Sequence, residues 1–397
     1  MIKLYKLNIG FIVIIFIWQA TQTSIFSGFD GAGRVNVFLT ISILLLNLFN
    51  DKFAYNVLKE NSILIIAFLA LIYKIINSYF LYNPNFNKID TEIFIMSRLV
   101  IPFVIIYVVT LIPVRRVNVF LKVMIITLYA SSSIFMFTSN FVNGRFHNNM
   151  MNMNEIVIII LALVATILLY ALNNRMSLFK VISLLIIPTV YIVLSGSRMA
   201  FGAFLILGLG YWTIKQEKMD FTFIFKMIVL GIVCYSLFQY IAENTTLGER
   251  LMNTTEDLSG MSEAKIVKGT IFEKFGDRGI YYIKGWSIFL DNPYFGIGLL
   301  NYRKTNSYVC HVEYMINLAE LGIIGFTFYF LLLKSMFSKI YTKIRLNKDL
   351  QSKFLMCILF SIIFCGFVLF LYNSFAIAYL FGIISLLTLR KSQNKFI

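Results

Sequence analysis

The segment Ile156–Leu172, IVIIILALVATILLYAL, runs for 17 residues without a single charge. A bilayer core about 30 Å thick is crossed by roughly 20 mostly apolar residues in a helix, and runs of this kind recur along the whole chain. Across 397 residues, 59% are hydrophobic and 14% charged, and the mean hydropathy is +0.80. A soluble domain carries about 25% charged residues. The pattern predicts an all-α polytopic membrane protein. Lys3 and Lys6 precede the first apolar run as in a signal peptide, but no small-residue cleavage site follows, so that run reads as the first spanning helix.

The apolar runs predict 12 transmembrane helices, at about 8–26, 35–49, 61–80, 93–112, 117–138, 155–172, 179–195, 199–214, 221–242, 314–333, 354–372 and 375–389. Alternate connections differ in basic content. One set carries Lys52, Lys59, Arg115, Arg116, Arg175, Lys180, Lys215, Lys218, then Lys334 through Lys353 and Arg390 through Lys395; the alternate short loops carry little, Arg34, Lys88, Arg145 and Arg198. The excess of Lys and Arg on cytoplasmic loops puts the rich set, and both termini, in the cytoplasm. The same asymmetry accounts for the net charge of +16 without a nucleic-acid partner. The chain then divides into 1–242 (spans 1–9), a large outward loop at 243–312, and 313–397 (spans 10–12). A loop of this length is uncommon unless functional. Inside it, DRGIYYIKGWSIFLDNP predicts a short amphipathic helix at about 278–290, closed by Pro293 and followed by a glycine turn at Gly296 and Gly298.

Charges at membrane depth are sparse: Lys74, Arg98 and Glu320, with Lys226 near a helix end. That argues against an ion-coupled transporter. The polar residues of interest gather instead on the outward side: Arg145, His147, Arg198, Arg278, His311 and Glu313. Guanidinium groups bind phosphate through paired hydrogen bonds and stay charged at any working pH, so two or three of them on one surface suit a diphosphate. Ser195-Gly196-Ser197 before Arg198 suits the start of a helix, an end that favours anions, although a solvated turn arginine has the same local sequence. His311 has the chemistry of a general base, and Glu313 is placed to orient it or replace it. Tyr281, Tyr282 and Trp286 suit either stacking on sugars or anchoring the loop at the interface. Four cysteines without CxxC spacing and two histidines leave no metal motif, and no cofactor is expected.

Four segments, NGRFHNNMMNMNE, LSGSRMAF, DRGIYYIKGWSIFLDNPYFGIGLLNY and HVEYMINLAELGIIGF, in this order and with a large outward loop before the last spans, resemble the O-antigen polymerase and O-antigen ligase superfamily. The resemblance covers about residues 143–326. It implies a metal-independent glycosyltransferase at the periplasmic face of the bacterial inner membrane. Donor and acceptor would be undecaprenyl diphosphate-linked oligosaccharides. Carried over by position, Arg198 and Arg278, with Arg145, would hold the donor diphosphate, and His311 would assist the incoming hydroxyl. Here Val312 and then Glu313 follow the histidine where asparagine is common in the family, so Glu313 stays a rival base. Trp286 stands eight residues after Arg278, further than the family spacing. The Ile-, Asn-, Lys- and Phe-rich composition suits an AT-rich polysaccharide locus and favours a polymerase over a ligase that transfers the glycan to lipid A-core. A lipid-linked oligosaccharide transporter is the competing class. Whether a chain-length regulator binds is open.

Overall fold

A computed structural model describes residues 4–24, 32–50, 56, 57, 59, 61–81, 99–142, 145–147, 153–216, 278–299, 301–302, 312–347, 349–367 and 374–389. Apart from one short hairpin and the turns between elements these residues are helical. In chain order the helices are α1 (Leu4–Ser24), α2 (Ala32–Asn50), α3 (Ser62–Phe80), α4 (Ile101–Thr110), α5 (Val117–Phe137), α6 (Met153–Asn173), α7 (Leu178–Ser195), α8 (Arg198–Lys215), α9 (Arg278–Asp291), α10 (Glu313–Asn347), α11 (Leu350–Gly366) and α12 (Phe375–Thr388). Among the described residues five helices are long and apolar enough to cross a membrane: α1, α5 with the turn before it, α6, α7 and α10. Shorter apolar helices include α3, α4, α11 and α12. The span expected at 221–242, and most of the loop expected at 243–312, lie outside the described residues.

The least polar runs form the centre. Every residue of α4 and of α12 is buried, and these two helices pack along each other. The apolar face of α6, Ile156 through Leu169, lies against α5, α8 and α12. Small residues let neighbours approach closely. A Cβ at Gly202 of α8 would come within 2.8 Å of the Phe364 ring on α11, and one at Gly210 within 2.5 Å of Cys357 Sγ.

Lysines tie neighbouring helix ends together. At one end Lys215 Nζ donates to Met176 O at 2.9 Å, and Lys339 Nζ donates to Asn61 Oδ1 at 2.7 Å. Asn61 also caps α3, accepting from Ile63 N at 3.1 Å, and donates to Ser385 Oγ of α12 at 2.8 Å. Lys343 Nζ donates to Leu387 O at the end of α12. The Lys339 and Lys343 bonds exist because α10 does not stop near residue 333, as expected, but continues to Asn347. No glycine or proline interrupts residues 334–347, so the helix carries its lysines past the apolar stretch and onto the ends of α3 and α12.

At the opposite end, residues 140–142 and 145–147, expected as plain loop, form two antiparallel strands pairing Asn140 with His147 and Val142 with Arg145. The second strand rests on α7. The short helix expected at 278–290 is α9, and it lies along α10.

Candidate functional site

The turn before Arg198 is built from its own three residues. Gly196 takes the left-handed conformation (φ 63°) and closes α7, its N–H donating to Val193 O at 3.1 Å. A glycine meets that geometry without Cβ strain. Ser195 Oγ donates to Ile192 O at 2.6 Å and accepts from Ser197 N at 3.2 Å. Ser197 caps the next helix, accepting from Ala200 N at 3.4 Å. Arg198 is therefore the first residue of an 18-residue helix, and it is half-buried.

The contacts of α8 locate that helix start. Gly202 faces Phe364, Gly210 faces Cys357, and the Tyr211 ring meets Phe354 edge-on. The two helices thus run antiparallel, and Arg198 stands at the C-terminal end of α11. Helix α9 reaches the same end. Tyr282, one turn after Arg278, donates its hydroxyl to Phe367 O at 2.8 Å. A Cβ at Gly285 would come 3.1 Å from Met315 Cβ of α10, and Ile288 joins Tyr302, Val312, Ile316 and Ala319 in a small apolar cluster flanked by Tyr281 and Tyr282. The start of α10 completes the group: Tyr314 donates to Ile363 O at 2.8 Å, and its ring lies 4.7 Å from that of Phe367.

Three helices, α8, α9 and α10, thus begin around the C-terminal end of α11. Their first residues are Arg198, Arg278 and Glu313. Helix N-termini present positive partial charge and N–H groups to an anion. Arg145 lies in the hairpin strand on α7, the helix that leads into the Gly196 turn. Trp286 is half-exposed and packs on Phe289 with centroids 5.2 Å apart. Glu313 is fully buried, and its Oε1 accepts from Asn317 Nδ2 at 2.7 Å. His311 lies outside the described residues.

Behind this end is a joint that the apolar pattern does not foretell. Helix α10 is broken at Gly322 (φ 63°, ψ −168°). The break removes the helical bonds that would join Ile323 N to Ala319 O and Ile324 N to Glu320 O. The segment after α9 fills all four positions. Ile297 N donates to Ala319 O and Gly298 N to Glu320 O, both at 2.9 Å; Ile323 N donates to Pro293 O at 2.8 Å and Ile324 N to Tyr294 O at 3.4 Å. Unpaired backbone groups are costly in apolar surroundings, and here each has a protein partner. The approach needs glycine on both sides: a Cβ at Gly322 would lie 2.3 Å from Tyr294 O, and one at Gly296 2.3 Å from the Glu320 carbonyl carbon. The Pro-x-x-Gly-x-Gly and Glu-x-Gly segments of the sequence are the two halves of this joint.

Helix α3 holds the joint from the other side. Tyr73 donates to Leu321 O at 2.7 Å; Asn77 donates to Phe295 O at 2.8 Å and accepts from Leu299 N at 3.2 Å; Asn301 donates to Leu81 O at 3.0 Å. Glu320, buried like Glu313, accepts from Tyr302 N at 3.1 Å. Tyr73, Asn77 and Asn317 were not candidates from sequence. The usable signal was the polar row Glu313, Asn317, Glu320, spaced four and seven residues apart on one face of an otherwise apolar helix.

Residues 181–330 match the family model described as O-antigen ligase. This part of the chain is similar to that family, consistent with the O-antigen polymerase and ligase superfamily. The match takes in α7, α8, α9, the joint and the Gly322 break. A search of curated proteins finds no match to the chain.

Proposed function

We propose that this chain is an O-antigen polymerase, a glycosyltransferase joining undecaprenyl diphosphate-linked repeat units at the periplasmic face of the inner membrane. In this reading it has 12 spans, with both termini cytoplasmic and residues 243–312 outside, and the gathered starts of α8, α9 and α10 face the periplasm. The observation that carries the reading is that gathering: Arg198 and Arg278, 80 residues apart in the chain, open two helices at one end of α11.

The donor's diphosphate binds Arg198 and Arg278, with Arg145 on the hairpin behind them. The acceptor's hydroxyl oxygen attacks the anomeric carbon and forms the new glycosidic bond. Its proton passes to His311 or Glu313. The bond from the anomeric carbon to the diphosphate oxygen breaks, and the electron pair leaves with the diphosphate. Arginines and helix N-termini stabilise the charge that builds there, which is electrostatic catalysis needing neither nucleotide nor metal. Tyr281, Tyr282 and Trp286 border the acceptor's path.

The family description supports a second reading, a ligase that transfers the finished glycan to lipid A-core. Complementation separates the two on a lipopolysaccharide gel. Loss of a polymerase leaves one repeat unit on the core; loss of a ligase leaves none. In either strain Arg198→Ala and Arg278→Ala should each abolish the long-chain ladder at normal protein level. A normal ladder from both variants sinks the diphosphate clamp. Full activity of His311→Ala assigns the base to Glu313, and full activity of Glu313→Gln assigns it to His311.

A further inference from the structure

Among the described residues the buried charged side chains are Lys74, Glu313 and Glu320, at 2%, 0% and 3% exposure. They form one cluster. Glu313 and Glu320 lie on the same face of α10, and the Lys74 ammonium on α3 is within Coulombic range of both carboxylates. Each carboxylate is also tied by an N–H: Asn317 Nδ2 to Glu313 Oε1 at 2.7 Å, and Tyr302 N to Glu320 Oε1 at 3.1 Å. Glu320 thereby links the cluster to the segment that fills the Gly322 break. Lys74 and Glu313 line a cavity of about 50 Å³ whose other walls are almost wholly apolar, among them Phe103, Leu332 and Phe381. That space suits a few water molecules, at roughly 10–15 Å³ each.

We propose that Lys74 is a positioning residue. Its ammonium is the counter-charge that keeps the Glu313–Asn317–Glu320 face of α10 seated against α3, and so fixes the end of α10 where Glu313 stands beside the starts of α8 and α9. Two carboxylates buried without a cation would be driven toward solvent or toward taking up protons. Either outcome shifts the first two turns of α10. Helix α3 lies outside residues 181–330, so this assigns a role to the part of the chain that the family match does not reach.

The test is a charge-swap cycle in the full-length chain at matched membrane level: Lys74→Met, Lys74→Arg, Glu320→Gln, and Lys74→Met with Glu320→Gln. The Glu320→Gln variant keeps a side-chain acceptor for the Tyr302 amide. Lys74→Met should lower kcat at least about tenfold with the KM for the lipid-linked donor changed less than about twofold. Lys74→Arg should retain most activity, and the double variant should recover part of the loss. Unchanged turnover in Lys74→Met, or a double variant no better than the single one, overturns the proposal. The activity arm rests on the transferase reading. Thermal melting in detergent does not: there the two substitutions should be non-additive, and additive melting shifts overturn the coupling whatever the chain's activity. If Lys74→Met fails to accumulate, accumulation of the double variant supports the proposal and its absence overturns it.

Discussion

Helices α12 and α10 meet the same demand in opposite ways. All 14 residues of α12 are buried, its helical bonding is continuous, and it lies on α4, every residue of which is also buried. Thr388 turns back on its own helix, donating to Ile384 O at 2.7 Å, while Ser385 and Tyr379 meet single hydroxyl or amide partners, Asn61 and Thr166, on neighbouring helices. Helix α10 gives up that continuity at Gly322 and hands four backbone groups to another segment. The difference is one of specification. The α4–α12 pair asks mostly for apolar side chains of suitable volume, with a close approach at Gly382, where a Cβ would come 2.6 Å from Val109 Cβ; the joint asks for named residues at many positions: Gly296, Gly298 and Gly322 for close approach, and Tyr73, Asn77 and Asn301 for the remaining polar groups. Where a chain spends its specificity is where its function is best sought, and the joint braces the end that holds Arg198, Arg278 and Glu313.

If this contrast is right, substitutions at the joint cost more than substitutions of similar size in the α4–α12 pair. Gly322→Ala should have the largest effect. The new Cβ meets Tyr294 O and must also adopt a positive φ; strain and displacement together should cost about 3 kcal/mol or more, read as a lower melting temperature and poor recovery of monodisperse protein after heating. Asn77→Ala should come next. It strips Phe295 O of a donor and Leu299 N of an acceptor, at about 2–3 kcal/mol; faster hydrogen exchange confined to residues 293–301 would locate the damage. Ile384→Val in buried α12 should cost only about 1 kcal/mol. A larger loss than that of Asn77→Ala would reverse the comparison. The smallest effect belongs to Gly208→Ala on α8, where a Cβ meets nothing within 4 Å. Alanine should there stabilise the helix by up to about 1 kcal/mol, seen as an unchanged or slightly raised melting temperature.

Much of this was legible in advance, for physical reasons. The runs expected at 155–172, 179–195 and 199–214 are α6, α7 and α8 within two residues at either end, since an unbroken apolar stretch in lipid is helical throughout. The Ser-Gly-Ser-Arg turn was legible because its hydrogen bonds are local, and so was α9, whose amphipathic pattern is bounded by Pro293. The length of α10 was not, because hydropathy reports the apolar part of a helix and not its polar continuation. The strands at 140–142 and 145–147 left no periodic trace. The joint was invisible in kind: Pro293, Gly296, Gly298, Glu320 and Gly322 could be read only as two separate glycine-bearing segments. Lys74 and Glu320 stood out as intramembrane charges, yet nothing along the chain paired them.

By itself the sequence determined that the chain lies in a membrane, where most of its helices run, and that Arg198 opens a helix. Those properties depend on the transfer of apolar side chains from water and on bonds between residues four or fewer apart. The tertiary structure alone decided that α8, α9 and α10 begin around one end of α11, that Lys74 answers two carboxylates on another helix, and that one segment repairs the break in α10. Those are pairings across tens to hundreds of residues, set by which helix ends pack together, and local pattern carries no record of them.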